Sequence, residues 1–449
     1  MKVIVAGTGT LGFSVARRFS EERHDVVLIG EDEDALRRAQ DMMDVGAVIG
    51  KASAPSILLE AGLRAADILV AVTGSDETNI VACLIAETVS ERISRVARIH
   101  DPAYLGEKGI IDKSSLSIDL VISPEEEVAQ AVSSLAATPG AADVLEFAGG
   151  RVQVLGVDVD PGSPMIGKPI KDLMRRADEK LLVAGVYRGE LVSAPSEDIR
   201  LAAGDTVFVV ADRPSVRSVM ARLGKRWART RNVIIAGGGW EGVSIARRLA
   251  ADGIHTKLIE RDPLLCQELS QLLPDTLILN GDCMDEGLLV DEGVRRAELL
   301  VTALGNETEN IFAALLAKRL GARRVAALVD TPEYMPFAST IGVDVVVSPL
   351  LSALNPILQL ARRGEVVAVR TLRENLVEGI EFVAAAGSGI VGLPLAMLHM
   401  PRGSLVGAIV RDGQVIIPDG STTVREGDRV VLFARPDLIP RLQRLLAPG

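Results

Sequence analysis

The stretch VIVAGTGTLGFSVARRFS, residues 3–20, carries the pattern that decides the fold. Four apolar residues precede Gly-x-Gly-x-x-Gly and the apolar spacing of an amphipathic helix, which together predict a strand, a tight turn and a helix. Gly7 allows the turn, Gly9 has no side chain to keep a pyrophosphate from the backbone, and Gly12 allows close helix–strand packing. The free N–H groups at the helix N-terminus attract phosphates. The pattern therefore predicts a Rossmann-type nucleotide-binding unit.

The same pattern occurs a second time as VIIAGGGWEGVSIARRLA, residues 233–250. Its glycines align with those of the first copy, and they are Gly237, Gly239 and Gly242. Further along, residues 60–87 resemble residues 291–318. Each copy alternates short Val/Ile runs with helical stretches, which is typical of a doubly wound α/β sheet. A smaller, strand-rich unit follows each copy, so the chain is predicted to be a tandem repeat.

The predicted fold class is α/β, with two Rossmann-like doubly wound domains, each followed by a small α+β domain. The strands predicted in the first Rossmann-like domain are Val3–Ala6, Val26–Ile29, Ala47–Ile49, Ile68–Val72, Val96–Ile99 and Leu120–Ile122. The predicted boundaries are 1–140 and 232–360 for the Rossmann-like domains, 141–224 and 361–449 for the small domains, and 225–231 for a basic linker. A surface for anionic lipid is the alternative interpretation of the linker.

Composition limits the classes of protein to which the chain can belong. A net charge of −11 disfavours nonspecific nucleic-acid binding, which depends on neutralising phosphates. Cys83, Cys266 and Cys283 lie far apart, so neither a disulfide framework nor a metal site is expected. The apolar runs are too short to span a membrane, and the first residues lack the long apolar region of a secretory signal. The chain is expected to stay in the cytoplasm.

The acidic residue that ends the second strand of a Rossmann fold accepts hydrogen bonds from the adenosine ribose. The second copy has Glu260 there, whereas the first copy has Gly30, followed by Glu31. Downstream, Asp282 of the second copy is replaced by Lys51 in the first. The second site is therefore predicted to fit NAD(H) better than the first.

Two interpretations of the first site stay open. In one, Lys51 receives a phosphate, so that the site prefers ATP or ADP, and Glu31 swings in to replace the missing carboxylate. In the other, the first site has degenerated and Lys51 is simply solvated.

Three segments of the chain resemble the RCK domain, the regulator of potassium conductance, and they are AGLRAADILVAVTGSDETN (61–79), ARIHDPAY (97–104) and Ile122-Ser123-Pro124. The tandem arrangement, which covers nearly the whole chain, resembles the regulatory subunits of Trk-type potassium uptake systems. The resemblance implies RCK N-lobes that bind NAD(H), ATP or ADP, each followed by an RCK C-lobe. It also implies a homo-oligomer, dimer or tetramer, that lies peripherally on the inner face of the cell membrane and gates a TrkH-like potassium-translocating subunit.

The glycine turns and the resemblance together mark the candidate cofactor-binding residues. In the first copy these are Gly7, Gly9, Thr10, Leu11, Gly12, Glu31, Lys51, Thr73, Asp76, Glu77, Asn79 and Arg98. In the second copy they are Gly237, Gly239, Trp240, Glu241, Gly242, Glu260, Arg261, Asp282, Cys283 and Asn310. Leu304 and Leu328 stand where the first copy has Thr73 and Arg98, so equal ligands are not expected in the two halves.

Several candidates in the first copy have a structural alternative. Arg98 contacts a phosphate across a subunit interface, or it forms an ion pair with Asp101 or another nearby acid. Asp76, Glu77 and Asn79 contact the ligand, or they cap the helix that begins near Thr78 or are solvated at the surface. The sequence leaves both roles open.

The rival class is an NAD-dependent oxidoreductase, which needs an acid–base group beside the nicotinamide. The four histidines are His24, His100, His255 and His399, and none recurs at matching positions of the two copies. No catalytic residue and no enzyme activity are therefore predicted. A regulator of potassium efflux or antiport is the second alternative, because it would use the same kind of domain.

Overall fold

The computed structural model describes residues 1–101, 104, 118–174, 180–188, 191–193, 198–225, 227–331, 333–361, 366–372, 377–398, 400–401, 403–435 and 438–446. Four residues that entered the sequence analysis lie outside these ranges, and they are Pro102, Ala103, Arg226 and His399.

The first half of the chain contains eleven strands and seven α-helices among its described residues. Their bounds are β1 (Lys2–Ala6), α1 (Thr10–Glu21), β2 (Asp25–Gly30), α2 (Glu33–Met42), β3 (Gly46–Ile49), α3 (Pro55–Glu60), β4 (Ile68–Ala71), α4 (Asp76–Val89), β5 (Ser94–Arg98), β6 (Leu120–Ile122), α5 (Pro124–Ala137), β7 (Asp143–Phe147), β8 (Val152–Asp158), α6 (Lys171–Met174), β9 (Leu181–Arg188), β10 (Leu191–Ser193), β11 (Thr206–Asp212) and α7 (Val216–Arg222).

The second half follows a similar order. Its bounds are β12 (Asn232–Ala236), α8 (Trp240–Ala251), β13 (His255–Glu260), α9 (Pro263–Leu272), β14 (Thr276–Asn280), α10 (Glu286–Asp291), β15 (Leu299–Thr302), α11 (Glu307–Leu320), β16 (Val325–Leu328), α12 (Tyr334–Ile341), β17 (Val345–Val347), α13 (Pro349–Ala361), β18 (Val366–Leu372), β19 (Val377–Val383), β20 (Ser404–Arg411), β21 (Gln414–Ile416), β22 (Arg429–Ala434) and α14 (Ile439–Leu446). In this half α12 lies between β16 and β17, and a 3-10 helix, Leu395–Met397, lies between β19 and β20 where the first half has α6.

Each half contains one six-stranded parallel sheet, in the order β3-β2-β1-β4-β5-β6 and β14-β13-β12-β15-β16-β17. All residues of β4 and β15 are buried, which explains why these strands are continuous apolar runs without alternation. The strand order reverses between β1 and β4, and between β12 and β15, which is where doubly wound sheets bind ligands. The predicted fold class and the six strands predicted in the first sheet are confirmed.

Each half also contains a five-stranded antiparallel sheet, in the order β10-β9-β11-β8-β7 and β18-β19-β22-β20-β21. Apolar side chains of the two small sheets share one core, in which the rings of Phe147 and Phe433 meet edge to face with centroids 6.2 Å apart. The α+β class of the small domains was predicted from sequence. The packing of the two small domains around one shared core was not predicted.

The chain divides into two compact units, Met1–Glu127 with Pro349–Arg362 and Val128–Ser348 with Arg363–Gly449. In the first unit, α13 buries Leu354 and Ile357 in the core beneath α1 and β1. In the second unit, the part of α5 from Val128 onward is buried in the core around β12. Each of these helices covers the parallel sheet of the other copy. The packing units therefore differ from the predicted domain order, in which each helix stays with its own copy.

Candidate functional site

The first glycine turn joins β1 to α1. Gly7 has a φ of +127°, a conformation that favours glycine, and a Cβ there would lie 2.6 Å from the carbonyl oxygen of Val72. A Cβ at Gly12 would lie 2.0 Å from the carbonyl oxygen of Gly7. A Cβ at Gly9, by contrast, would meet none of the described atoms within 4 Å. Two glycines therefore keep the turn tight, whereas Gly9 leaves the backbone open to approach.

The second glycine turn, between β12 and α8, repeats this geometry. Gly237 has a φ of +111°, and a Cβ there would lie 2.3 Å from the carbonyl oxygen of Ala303. A Cβ at Gly242 would lie 2.0 Å from the carbonyl oxygen of Gly237. At Gly239 the nearest described atom would be Oε2 of Glu241, 3.7 Å away. The open second glycine is thus common to both turns.

Both turns end at a helix N-terminus without a side-chain cap. The N-cap residues are Gly9 for α1 and Gly239 for α8, and neither can accept the first N–H groups through a side chain. These N–H groups and the positive end of the helix dipole suit an anion. The first turn of α1 contains no acid, whereas that of α8 contains Glu241. The carboxylate of Glu241 competes with a bound anion, so it does not fit the predicted phosphate contact.

The other side chains that follow the open glycines differ in exposure. Leu11 is 6% exposed and belongs to the core of the first parallel sheet, so it offers a ligand only its backbone. Thr10 is exposed, and the Trp240 ring is 57% exposed at the start of α8. Thr10 and Trp240 are therefore accessible to a ligand on the turn, whereas the Leu11 side chain is not.

Glu260 lies at the end of β13 and is held against the second turn. Its Oε2 accepts the N–H of Gly238 at 2.8 Å, and its Oε1 accepts the N–H of Asp262 at 2.8 Å. A carboxylate has about four acceptor sites, so both oxygens retain capacity for ribose hydroxyls. The residue predicted to bind ribose is therefore oriented at the turn.

The equivalent position in the first copy is crowded by the side chain of Thr8. A Cβ at Gly30 would lie 2.4 Å from Cγ2 and 3.3 Å from Cβ of Thr8. Glu31 and Lys51 are exposed, and the side chain of neither forms a hydrogen bond or ion pair with the described residues. Asp32 caps α2 by accepting the N–H of Ala35 at 3.0 Å. The geometry leaves both interpretations of Lys51 open.

The residues around Asp282 give little support to direct ligand contact. Asp282 accepts the N–H of Met284 at 2.8 Å through Oδ1. Cys283 is 8% exposed, and burial raises the pKa of its thiol to about 11. The thiol therefore stays protonated and packs in the core. Arg261 is exposed directly after the end of β13.

Asn79 and Asn310 occupy equivalent buried positions on α4 and α11. Asn79 is fully buried, and its amide accepts the N–H of Thr73 at 2.9 Å and donates to the carbonyl oxygen of Arg98 at 2.9 Å. Asn310 accepts the N–H of Leu304 at 2.7 Å and donates to the carbonyl oxygen of Leu328 at 2.9 Å. Each amide joins the loop that follows one strand to the last residue of the neighbouring strand. This geometry favours a positioning role over the predicted ligand contact.

The start of α4 is capped by a residue that the sequence analysis did not single out. Ser75 accepts the N–H of Thr78 at 3.1 Å through Oγ. Glu77 accepts the hydroxyls of Ser75 at 2.8 Å and of Tyr104 at 3.3 Å. Thr73 donates its hydroxyl to Oδ1 of Asn79 at 2.7 Å. The alternative in which Asp76, Glu77 or Asn79 caps this helix is therefore wrong.

Asp76 is anchored to the segment that follows β5. Its carboxylate accepts the N–H groups of His100 at 3.0 Å and Asp101 at 2.9 Å, and Oδ1 lies 2.9 Å from Nδ1 of His100. Burial alone would raise the pKa of Asp76, but these hydrogen bonds and the His100 ring bring it below its ordinary value. Asp76 thus holds the end of β5 and has little capacity left for a ligand.

Arg98 at the end of β5 pairs with an acid of the next helix. Its guanidinium lies 3.2 Å from Oε1 of Glu125, whose side chain is 6% exposed and also accepts the hydroxyl of Ser123. The ion pair predicted as the alternative role of Arg98 exists, with Glu125 as the acid and not Asp101. The side chain is 25% exposed, and a phosphate would compete with Glu125 for it.

Sequence reasoning missed Thr8, Ser75 and Glu125. The signal for Thr8 was present in the internal repeat, because Thr8 and Gly30 align with Gly238 and Glu260. In each copy one of the two positions holds a side chain and the other a glycine, and the glycine changes position between the copies. This exchange indicates that the two positions are in contact. Ser75 precedes an acidic helix start, which is a common cap pattern. Nothing local pointed to Glu125.

Comparison with protein families agrees with the tandem organisation. The chain matches the TrkA-N domain over residues 3–124 and 233–349, and the TrkA-C domain over residues 154–224 and 380–447.

Relatives match along the whole chain. The Vibrio alginolyticus protein named Trk system potassium uptake protein TrkA is 36% identical over 440 residues, covering 96% of this chain and 95% of that protein. The Halomonas elongata protein of the same name is 34% identical, with coverage of 96% and 95%. The Methanosarcina mazei protein named Trk system potassium uptake protein TrkA homolog 2 is 33% identical and covers 99% and 100%.

Solved structures share the fold at low sequence identity. A structure described as "GsuK channel bound to NAD" superposes with a TM-score of 0.63 at 18% identity, covering 99% of this chain and 78% of that chain. Another, described as "Crystal structure of the GsuK bound to ADP", has a TM-score of 0.51 at 16% identity, with coverage of 80% and 68%. The family matches confirm the resemblance to proteins of Trk-type potassium uptake systems. The chain belongs to the family of Trk system potassium uptake proteins TrkA.

Proposed function

We propose that this chain is the regulatory subunit of a potassium uptake system, and that it binds adenine nucleotides at its two glycine turns without converting them. The observation that carries the proposal is the shared geometry of the turns. In each, the second glycine opens onto space and an uncapped helix begins beside it. Backbone N–H groups and the helix dipole together favour phosphate groups.

NAD(H) is the ligand that the second turn fits best. Glu260 presents a carboxylate at the end of β13, where a Rossmann fold binds the ribose hydroxyls. At the first turn, ATP or ADP fits as well, because the equivalent carboxylate is absent and Lys51 is exposed nearby. The GsuK structures described with NAD and with ADP support nucleotide binding by this fold.

A regulatory role needs a ligand to favour one of two conformations. Asn79 and Asn310 tie the loop after one central strand to the end of the next strand. A nucleotide that moves either loop therefore also moves its neighbour. This linkage offers a route by which occupancy of the glycine turn changes the shape of the lobe.

The non-enzymatic character of the chain is part of the proposal. Within the described ranges, no cluster of three or more His, Cys, Asp or Glu side chains is suited to hold a metal ion. His100 pairs with Asp76, but no hydroxyl or thiol of a described residue hydrogen-bonds to its ring. An acid–base pair without a positioned nucleophile does not make a triad. The relatives are named for potassium uptake and not for a reaction.

The proposed partner is a TrkH-like membrane subunit that translocates potassium, with this chain as a homo-oligomer on its cytoplasmic side. Through the described part of the chain, no helix combines the length and apolarity needed to cross a bilayer. Large apolar side chains are exposed at equivalent positions of the two copies, Val81 on α4 and Phe312 on α11. Exposed apolar side chains on repeated helices favour burial in a symmetric assembly.

The test compares valine variants of the two open glycines by calorimetric titration with NADH, NAD, ATP and ADP. Gly9 and Gly239 have extended backbones that accept any residue, and a Cβ there meets open space, so Gly9→Val and Gly239→Val are expected to fold. Each is expected to weaken binding at its own turn by at least about 100-fold, or about 3 kcal/mol. Gly162→Val, at an exposed glycine of the first small domain with equally open space, is the matched control.

The proposal fails if none of the four nucleotides binds the wild-type chain. It also fails if both valine variants retain full affinity while the chain remains folded, because binding would then occur elsewhere.

A further inference from the structure

The two glycine turns differ by a reciprocal exchange of residues. The first turn combines Thr8 with Gly30, and the second combines Gly238 with Glu260. A Cβ at Gly30 would lie 2.4 Å from Cγ2 of Thr8. A Cβ at Gly238 would lie 3.0 Å from Oε2 of Glu260 and 2.6 Å from Cδ1 of Leu269. In each turn, a side chain at one of the two positions would therefore crowd a side chain at the other.

Rotation of Thr8 relieves only part of this crowding. Besides Cγ2 at 2.4 Å, a Cβ at Gly30 would find Oγ1 at 3.1 Å and the Cβ of Thr8 at 3.3 Å. Turning χ1 can place the Hβ of Thr8 toward Gly30 instead of Cγ2, but the Cβ of Thr8 stays at 3.3 Å, which is closer than an ordinary carbon–carbon contact. Thr8 thus crowds the position at which Glu260 stands in the other copy, and a side chain at residue 30 would require Thr8 to shift.

The second turn has the opposite arrangement. Gly238 has no side chain, and its N–H donates to Glu260, which is thereby fixed beside the turn. Glu241 places a second acid in the first helical turn of α8. The second site therefore has a prepared ribose acceptor and a helix N-terminus that is partly neutralised. The first site has neither feature. Gly30 provides no carboxylate to accept the ribose hydroxyls, and α1 carries no acid in its first turn.

We infer that Thr8 is a specificity-determining residue. Because of Thr8, the first turn recognises adenine nucleotides by their phosphates alone, whereas the second turn also binds the ribose hydroxyls. The first site then accepts nucleotides with modified ribose, and the second rejects them. This difference presupposes the proposed function, in which both turns hold adenine nucleotides.

The experiment uses the full chain with one turn disabled at a time. Gly239→Val leaves the first turn to be measured, and Gly9→Val leaves the second. Each variant is titrated with ATP and with 2′,3′-dideoxy-ATP, which has the same base and phosphates but lacks both ribose hydroxyls. At the first turn, the two Kd values are expected to agree within about threefold. At the second turn, the dideoxy compound is expected to bind about tenfold or more weakly, since it loses hydrogen bonds to a charged acceptor.

Exchange variants test the role of Thr8 directly. In the Gly239→Val chain, Thr8→Gly with Gly30→Glu is expected to create a preference for ATP over its dideoxy form of about tenfold. Thr8→Gly alone is the matched control and is expected to show no such preference. In the Gly9→Val chain, Glu260→Ala is expected to abolish the preference of the second turn. The comparison of ATP with its dideoxy form at the unaltered first turn stands even if an exchange variant does not fold.

Three results separate this inference from the proposed function. Equal discrimination against the dideoxy compound at both turns overturns the role of Thr8 but leaves nucleotide binding intact. If Glu31→Ala then removes the discrimination at the first turn, Glu31 is the ribose acceptor there. ATP binding at the second turn only also overturns the inference. Absence of ATP and NADH binding at both turns overturns the proposed function itself.

Discussion

At the scale of the residue, the most regular feature of the repeat is an Arg–Asp pair in each small domain. Asp205 is 1% exposed and receives two hydrogen bonds of 2.7 Å from Arg188, while the N–H of Ala202 donates to it at 2.7 Å. Asp428 and Arg411 repeat this geometry at 2.6 and 2.8 Å. Each aspartate follows a glycine, Gly204 or Gly427, in a Gly-Asp pair that is typical of a turn. It also fixes the turn to a neighbouring strand.

These pairs predict a specific dependence of stability on pH. Burial alone would raise the pKa of Asp205, but Arg188 and the backbone N–H lower it below its ordinary value, and the same holds for Asp428 with Arg411. The unfolded chain therefore takes up the proton first as the pH falls. The stabilisation is complete above the unfolded pKa of about 3.9 and is lost as the pH falls through the lower folded pKa.

Asp205→Asn is expected to lower the free energy of unfolding at pH 7 by about 1–3 kcal/mol, because Arg188 loses a charged acceptor. Urea denaturation between pH 7 and pH 3 measures the effect, and the gap between wild type and variant is expected to narrow below about pH 4. Asp198→Asn is the control, since the Lys171–Asp198 pair is exposed, and no measurable change is expected. A gap that stays constant down to pH 3 would contradict this account.

Residue roles were predictable from sequence where they depend on local spacing. The glycines of both turns and Glu260 could be assigned, because each follows a strand at a fixed position. Asn79 and Asn310 were noticed, but their role was not, since it depends on carbonyl groups of a strand that lies elsewhere in the sequence. An ion pair of Arg98 was predicted, but its partner Glu125 was not, because Glu125 lies 27 residues further along the chain.

At the scale of the element, the sequence predicts strands and helices well and predicts packing between sheets poorly. β1, α1 and their counterparts β12 and α8 follow from apolar runs and glycine positions within about twenty residues. The core shared by the two small sheets depends on residues such as Phe147 and Phe433, which are far apart in the chain. Alternation of apolar residues shows that a strand has a buried face but not which sheet will cover it.

Phe433→Ala tests this core. The ring of Phe433 has room because Gly379 and Gly407 face it, and a Cβ at Gly407 would lie 2.3 Å from the ring. Removal of the ring is expected to cost about 3–5 kcal/mol of unfolding free energy. Met397→Ala, at a 65% exposed side chain of the same domain, is the control and is expected to change little. Equal, small losses in both variants by urea denaturation would show that the two small sheets do not depend on this contact.

At the scale of the whole molecule, the tandem repeat was visible in the sequence, but the exchange of α5 and α13 was not. Both helices follow the last strand of a parallel sheet and carry apolar faces, so either sheet could accept them. The choice depends on the shape of each core. In the first unit Leu354 and Ile357 of α13 are buried with α1. Sequence periodicity contains no information about which of two similar sheets a helix will cover.

The central claim is that occupancy of the two turns controls potassium transport without consuming the nucleotide. The most direct measurement is the rate of potassium uptake by the cognate transporter in vesicles that carry this chain and a defined internal nucleotide. With the wild-type chain, the uptake rate is expected to change with NADH or ATP, and the nucleotide is expected to be recovered unaltered. With the Gly9→Val/Gly239→Val chain, the uptake rate is expected to be the same with and without nucleotide. An unchanged nucleotide response in that variant, or conversion of the nucleotide in step with transport, would contradict the account.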